Sequence, residues 1–131
     1  MEFAADEKTM LWRKLAFLAP LALVGAASGK DKQGILGDAA WRNRLEAAVA
    51  EVCEVAVADG GRVHRMEILS ILGALPPAMR SSMQKDLSAG LEPEVDAIGG
   101  AIIRAGKRYE IGVPVIEELV RGIAGRSKGL V

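Results

Sequence analysis

The segment 38–59 carries the feature that most constrains the fold of this 131-residue chain. Its apolar residues recur at steps of three and four, which is the period of one face of an α-helix. Asp38 offers an N-cap and Asp59-Gly60-Gly61 offers a stop, so the pattern predicts a helix between them. The apolar stripe consists of Trp41, Leu45, Ala48, Val49, Val52, Cys53 and Ala56.

Apolar residues also predict a helix near the start of the chain, over about 6–27. Pro20 is expected to kink or break this helix, because proline lacks an amide hydrogen and clashes with the preceding turn. The next residues, SGKDKQG at 28–34, are polar and contain glycines. They predict a loop before the helix at 38–59.

The second half of the chain predicts further helices and no sheet, because no run of alternating apolar and polar residues occurs with hairpin turns. Prolines and glycines mark the helix boundaries. The helices are expected over 66–75, from Pro76-Pro77 to near Gly90 with Met79, Met83 and Leu87 on one face, from Pro93 to about Tyr109 with Gly112 as terminator, and from Pro114 onward. The expected fold class is therefore all-α, a compact bundle of about six helices.

A chain of this length is expected to form one domain, because roughly two thirds of its unfolded surface can be buried. We expect the helical domain to occupy residues 6–125. Residues 1–5 are expected to be a disordered start or linker remnant, and residues 126–131 a frayed tail.

Charge and cysteine content argue against several classes of protein. Seventeen basic and seventeen acidic residues leave no net charge, which disfavours binding to nucleic acid or an anionic membrane by bulk electrostatics. A single cysteine, Cys53, and a single histidine, His64, predict neither a disulfide framework nor a metal site. We expect Cys53 to be an inert buried thiol, His64 to be a solvated loop residue, and the protein to be cytoplasmic.

The stretch WRKLAFLAPLALVGAA at 12–27 permits three interpretations. A basic pair, an apolar run and small residues resemble a secretory signal, although acidic residues precede the pair and Pro20 interrupts the run. As a membrane span, the run from Leu15 to Ala27 is shorter than the roughly 20 residues that cross a bilayer. The third interpretation is a buried helix that carries Lys14 at a working surface.

Glycine-rich motifs for phosphate binding are not found in the sequence. The segment GAASGKD at 25–31 has one residue too few between its glycines for a phosphate-binding loop, and no Ser or Thr follows its lysine. No GxGxxG motif occurs, so no residue of this chain is assigned to cofactor binding.

Hydroxyl and carboxylate groups within residues 80–100 form the most informative polar segment. Ser82 could donate a hydrogen bond to an anion. Glu94 follows Pro93 in a first helical turn, where the helix dipole stabilises a carboxylate and allows it to hold a cation. Both could equally be ordinary residues at a helix start.

The same segment, continued to residue 115 as RSSMQKDLSAGLEPEVDAIGGAIIRAGKRYEIGVPV, resembles the C-terminal domain of the ketopantoate reductases, or 2-dehydropantoate 2-reductases. The resemblance extends from about residue 6 to 124. It implies a fold like the C-terminal domain of 6-phosphogluconate dehydrogenase, without the Rossmann domain. The matching residues are Ser81, Ser82, Met83, Asp86, Leu87, Gly90, Glu94, Asp96, Gly100, Gly112, Val113 and Pro114.

The resemblance implies NADPH-dependent reduction of a small 2-oxo acid to a 2-hydroxy acid, in a cleft between an N-terminal Rossmann domain and this domain. It implies that Lys14 is the general acid that protonates the ketone oxygen. Glu94 is then expected to hold this lysine or a substrate hydroxyl, and Ser82 to bind the substrate carboxylate. A lysine beside Leu15 and Phe17 on a partly buried helix is expected to be partly desolvated, which improves it as a proton donor.

Four positions depart from the pantothenate-pathway members of that family. Those members carry asparagines four and eight residues after the lysine, where this chain has Leu18 and Ala22, and two more at the positions of Met79 and Gly99. We expect Leu18, Ala22 and Met79 to line the substrate site without these amides. A more apolar 2-oxo acid than ketopantoate, or another ligand, is therefore expected.

The N-terminal half of the family's enzymes has no counterpart in the sequence. The chain alone is expected to bind NADPH poorly and to be inactive without a Rossmann domain in cis or in trans, as a piece of a longer protein or a free-standing relic. The expected partners are a 2-oxo acid and a second copy in a homodimer, with no nucleic acid and no membrane. Two alternatives stay open: a non-catalytic helical dimerisation or ligand-binding module, and an exported small protein.

Overall fold

In the computed structural model, residues 2–79 and 96–129 are described, and within these ranges the chain forms six α-helices and no strand. The expected all-α fold is confirmed. A π-helical turn, Asp96–Gly100, leads directly into the fifth helix. The helices are α1 (Glu2–Ser28), α2 (Lys32–Leu36), α3 (Ala39–Ala58), α4 (Arg65–Ala74), α5 (Ala101–Arg108) and α6 (Pro114–Gly129).

Helix α3 forms the centre of the core and packs against the other five helices. It begins as predicted, because the side chain of Asp38 accepts hydrogen bonds from the amides of Ala40 at 3.0 Å and Trp41 at 3.2 Å. Each buried Val, Leu or Ile side chain in this core stabilises the fold by roughly 1.5–3 kcal/mol. Fully buried members of the core include Leu23, Val24, Leu45, Val49, Val52, Ile116 and Ile123.

Helix α1 continues through Pro20, so the alternative of a break at this residue is wrong. A proline inside a helix costs about 3 kcal/mol, because it removes one backbone hydrogen bond and crowds the preceding turn. The residues that follow it, Leu21, Leu23 and Val24, are buried in the core. Their burial outweighs the cost, since each contributes roughly 1.5–3 kcal/mol.

Within α1, the stretch Glu7–Ser28 is long and apolar enough to cross a membrane by length and composition. The run from Leu15 to Ala27, which is too short to cross a bilayer, is only part of this stretch. In the fold, 56% of its most apolar window is buried. The core helix of a globular domain has the same apolar character, because one of its faces must pack against other helices.

Residues 28–34, predicted to be a loop, include the start of the short helix α2. The carboxylate of Asp31 caps this helix by accepting a hydrogen bond from the amide of Gly34 at 2.8 Å. The amide of Lys32 donates to the carbonyl of Met79 at 3.1 Å. A helix start leaves its first amides unpaired, and here a segment distant in sequence provides an acceptor.

Both ends of the domain contain more helix than the sequence predicted. Helix α1 already includes residues 2–5, which were expected to be a disordered start. Helix α6 continues to Gly129 and so includes most of the tail at 126–131 that was expected to fray.

Helix α5 ends at Arg108, and the left-handed residue that closes it is Glu110, with φ 58°, and not the predicted Gly112. The amide of Ile111 donates to the carbonyl of Gly106 at 2.8 Å, and the amide of Glu110 donates to the carbonyl of Lys107 at 3.3 Å. This pair of hydrogen bonds is the Schellman motif, in which glycine is the usual left-handed residue.

Candidate active site on the first helix

Lys14, Leu18 and Ala22 lie on one side of α1, because residues four apart in a helix are neighbours. Along this side the helix passes from solvent into the core: Lys14 is exposed, Leu18 is 36% exposed and Ala22 is 5% exposed. The structure therefore brings three of the predicted site residues together, along about two helical turns.

Lys14 is more exposed than the sequence predicted. Trp12, two residues earlier, is buried, and its indole Nε1 donates a hydrogen bond to Asp59 at 2.9 Å. Consecutive helix residues are about 100° apart, so Lys14 faces away from Trp12 and from the end of α3. The neighbours Leu15 and Phe17 are half-buried and do not cover the lysine. The prediction that Lys14 is partly buried is therefore wrong for the described part of the chain.

The two basic residues at the start of this face have different surroundings. Arg13 pairs with Glu67 of α4, with 2.8 Å between Nε and Oε1, and both side chains are about half exposed. Lys14 has no such carboxylate partner among the residues that the structure describes. Within residues 2–79 and 96–129, its ammonium group is therefore left to solvent.

Asp59 fixes α1 relative to the ends of α3 and α5. Its carboxylate accepts hydrogen bonds from the hydroxyl of Tyr109 and the indole of Trp12, and Nζ of Lys8 lies 4.0 Å away. These two hydrogen bonds lower the pKa of Asp59, and the one from Tyr109 has the larger effect. The hydrogen bond between Tyr109 and Asp59 also raises the pKa of Tyr109. Lys14 thus stands on a backbone that is anchored two residues away, as a precise site requires.

The other predicted site residues are separated from this face in the chain. Met79 is half-buried in the turn after α4 and packs against the core. The spacing with Met83 and Leu87 predicted that Met79 lies on a helix face, but Met79 is not in a helix. Ser82 and Glu94 lie outside the described residues.

Two charged residues with structural roles were missed by sequence reasoning. Lys32 is 5% exposed, and its ammonium donates to the carbonyl of Gly73 at 3.0 Å and to that of Leu75. The only local signal was the N-cap pattern at Asp31 before two apolar residues. Neither carbonyl partner can be inferred from that pattern, because both lie at the end of α4.

Glu51 of α3 is the second missed residue. Its carboxylate accepts hydrogen bonds from the amides of Val115 and Ile116, both at 2.9 Å, and so caps the N-terminus of α6. Burial raises the pKa of Glu51, although these two hydrogen bonds lower it in part. A signal was present, since Glu51 lies next to the apolar stripe of α3.

In the described part of the chain, His64 and Cys53 have structural surroundings and do not belong to a cluster of metal ligands. This part contains no group of three or more His, Cys, Asp or Glu residues that could hold a metal ion. His64 is exposed, and its Nδ1 accepts a hydrogen bond from the amide of Met66 at 3.2 Å, which caps α4. Cys53 is buried, as predicted, and burial raises the pKa of its thiol.

A family model described as the ketopantoate reductase PanE/ApbA C-terminal domain matches residues 6–127. This chain belongs to that family. The resemblance that the segment 80–115 indicated is therefore confirmed, and it covers nearly the whole chain.

Curated ketopantoate reductases are longer than this chain. The 2-dehydropantoate 2-reductase of Halobacterium salinarum is 28% identical over 117 residues, which cover 88% of this chain and 39% of the relative. That of Mycobacterium tuberculosis is 28% identical over 127 residues, 95% of this chain and 42% of the relative. The chain thus spans about two fifths of the length of these relatives.

Solved structures share the fold of the domain. A dimeric ketopantoate reductase from Staphylococcus aureus has a TM-score of 0.83 at 20% identity, over 95% of this chain and 44% of that one. A D-mandelate dehydrogenase in complex with NADH has a TM-score of 0.85 at 19% identity, over 94% of this chain and 44% of that one.

Gly99, where the resemblance leads us to expect an asparagine in the ketopantoate reductases, is buried in the π-helical turn. A Cβ atom there would overlap Cγ2 of Val120 and lie 3.4 Å from Cδ2 of Leu23. An asparagine therefore does not fit between α1 and α6 without displacing these side chains. The sequence shows that the asparagine amide is missing at Gly99. Only the fold shows that Leu23 and Val120 fill its place.

Proposed function

We propose that this chain is the substrate-binding C-terminal domain of a ketopantoate-reductase-like oxidoreductase that reduces a 2-oxo acid to a 2-hydroxy acid with NADPH. The observation that carries the proposal is the face of α1. There, exposed Lys14 has no carboxylate partner among the described residues, and Leu18 and Ala22 lie beside it on an anchored helix. Membership of the family supports the reaction class.

Reduction of a ketone requires a hydride at carbon and a proton at oxygen. A reduced nicotinamide, held by an N-terminal dinucleotide-binding domain, supplies the hydride, and this chain supplies the proton. Nζ of Lys14 donates a hydrogen bond to the ketone oxygen, stabilises the negative charge that develops there and transfers its proton. In this proposal Ser82 binds the substrate carboxylate, and Glu94 orients the lysine or a substrate hydroxyl.

The substrate is proposed to be a 2-oxo acid with an apolar side chain. Leu18, which is partly exposed, offers no hydrogen bond to a substrate hydroxyl, and neither do buried Ala22 and the surroundings of Gly99, which Leu23 and Val120 fill. A hydroxyl placed against such a surface gives up its hydrogen bonds to water, which costs roughly 1–3 kcal/mol. An aliphatic side chain bears no such cost, so the site favours it over ketopantoate.

The working enzyme is proposed to be a cytoplasmic homodimer. A relative of the same fold is dimeric, and the balanced charge of the chain gives it no electrostatic affinity for nucleic acid or membrane surfaces. We expect the chain by itself to be inactive, because the domain that holds NADPH must be supplied in cis or in trans.

A non-catalytic association module is the second candidate. It is favoured by large apolar side chains left in solvent, among them Met10 at 72%, Leu11 at 64% and Met66 at 60% exposure. Such side chains gain from burial against a second chain. This candidate predicts a stable dimer that binds no 2-oxo acid.

Calorimetric titration of the chain with 4-methyl-2-oxopentanoate and with ketopantoate separates the two candidates. We expect the aliphatic acid to bind at least about tenfold more tightly than ketopantoate. Lys14→Ala is expected to weaken its binding by about tenfold or more, because a hydrogen bond from a charged donor is lost. Lys30→Ala is the matched control and should leave binding unchanged.

The titration has two results that contradict parts of the proposal. A stable dimer that gives no heat of binding with either acid supports the association module instead. Equal affinity for the two acids contradicts the apolar substrate site while leaving the reaction class in place.

A further inference from the structure

Lys32 contacts both ends of the segment 73–79, which runs from the last turn of α4 to Met79, a candidate substrate-binding residue. Its buried ammonium donates to the carbonyls of Gly73, at 3.0 Å, and Leu75. Its own amide donates to the carbonyl of Met79 at 3.1 Å. One residue therefore contacts the segment at its start, its middle and its end.

The segment depends on donors from elsewhere in the fold. Carbonyls at the end of a helix such as α4 have no partner within it, and a cation there also interacts favourably with the helix dipole. Pro76 and Pro77 lack amide hydrogens and cannot donate. The next residue of α2 adds a contact, from the amide of Gln33 to the carbonyl of Pro77 at 2.8 Å, and within the segment the amide of Met79 donates to the carbonyl of Pro76 at 3.1 Å.

The same contacts connect the segment to the helix that carries Lys14. Helix α2 follows the end of α1 after only three residues, 29–31. Lys32 therefore sets the place of Met79 relative to α1. This is a role that a surface lysine cannot perform, because a flexible side chain in solvent fixes no backbone.

We propose that Lys32 is a positioning residue of the substrate site, which fixes Met79 through the segment 73–79. The inference rests on the proposed function for the identity of the ligand. The contacts themselves can be tested without any ligand, so a failure of the proposed function is distinguishable from a failure of this inference.

The experiment compares Lys32→Met, which loses the side-chain donor to Gly73 and Leu75 but keeps the backbone amide, with Lys32→Arg, which keeps a cationic donor, and with Lys30→Met as matched control. Lys32→Gln is the second disrupting variant if Lys32→Met does not fold. Amide hydrogen exchange is followed at 73–79 and in α3. Oxidation of Met79 by hydrogen peroxide is measured against exposed Met10 and Met66 as internal standards.

We expect the amides of 73–79 to exchange about tenfold faster in Lys32→Met, with α3 unchanged. Met79 should oxidise several-fold faster relative to Met10 and Met66. The affinity for 4-methyl-2-oxopentanoate should fall by about fivefold or more, because the site is misplaced. Lys32→Arg should recover most of both effects, and Lys30→Met should behave as wild type.

Unchanged exchange and oxidation at the segment would overturn the inference. Faster exchange with wild-type affinity would overturn it as well, because Lys32 would then stabilise the segment without serving the site. If the wild-type chain binds no 2-oxo acid, the proposed function fails, while exchange and oxidation still decide whether Lys32 fixes Met79.

Discussion

Glu110 closes α5 in a left-handed conformation, with φ 58°, and a residue with a Cβ atom adopts this conformation at a cost of roughly 1 kcal/mol or more. The side chain is exposed, and no contact with the part of the chain that the structure describes compensates that cost through burial. We expect Glu110→Gly to raise the free energy of unfolding by about 0.5–1 kcal/mol, net of the greater freedom of glycine in the unfolded chain. Thermal unfolding followed by circular dichroism should show an increase in Tm of about 2–4 °C.

Glu54→Gly is a suitable control for this substitution. Glu54 is also an exposed glutamate, but it lies inside α3 with an ordinary helical backbone. There glycine should destabilise by about 1 kcal/mol. A decrease in Tm for Glu110→Gly similar to that for Glu54→Gly would contradict the left-handed helix end.

Among the elements, α3 could be predicted from the sequence and α2 could not. The signals of α3 are local: a capping Asp38, an apolar period and a glycine stop. Helix α2 depends on the burial of Lys32 and on carbonyl acceptors in the segment that ends at Met79. These acceptors are more than forty residues away along the chain. A lysine in a polar, glycine-containing stretch indicates a loop unless those partners are known.

Three elements meet at Asp59, so its titration should change how α1, α3 and α5 are held together. Its pKa in the fold is lowered, so the carboxylate stabilises the protein above its unfolded pKa of about 3.9, and this stabilisation is lost as pH falls through the folded value. Asp59→Asn resembles the protonated acid. It should lower the free energy of unfolding by about 1 kcal/mol at pH 7 and by less at a pH below the unfolded pKa.

Urea unfolding at several pH values measures this difference. Glu51 acts in the opposite direction, because its pKa is raised: its contribution is largest below an unfolded pKa of about 4.3 and declines as pH rises through the folded value. That effect is common to wild type and variant and cancels in the difference. Glu46→Gln, at an exposed site on α3, should show no difference at either pH, and a pH-independent loss in Asp59→Asn would contradict the role of its charge.

For the whole molecule, the fold class and the family were predictable, while the environment of the site was not. Helical spacing placed Lys14, Leu18 and Ala22 on one side of α1. It could not show that this side leaves the core at Lys14, because exposure depends on which helices pack nearby. It also could not show that Leu23 and Val120 fill the space beside Gly99.

The exposure of Lys14 is expected if the proposed active site lies between this domain and a second one. In the proposed enzyme a second domain would cover this face, exclude water from the lysine and hold the hydride donor. Water exclusion strengthens the hydrogen bond from the ammonium to the ketone oxygen. In this proposal Lys14 of this chain supplies the proton, and the hydride would come from the other domain.

Turnover by Lys14→Ala in the assembled enzyme tests this claim most directly. The chain would be joined to the N-terminal part of the Mycobacterium tuberculosis relative, and NADPH oxidation measured with 4-methyl-2-oxopentanoate. We predict that the wild-type fusion turns over, that Lys30→Ala matches it, and that Lys14→Ala loses about 10²–10⁴ in kcat/KM while keeping its helical circular dichroism. Turnover by Lys14→Ala at the wild-type rate would contradict the account.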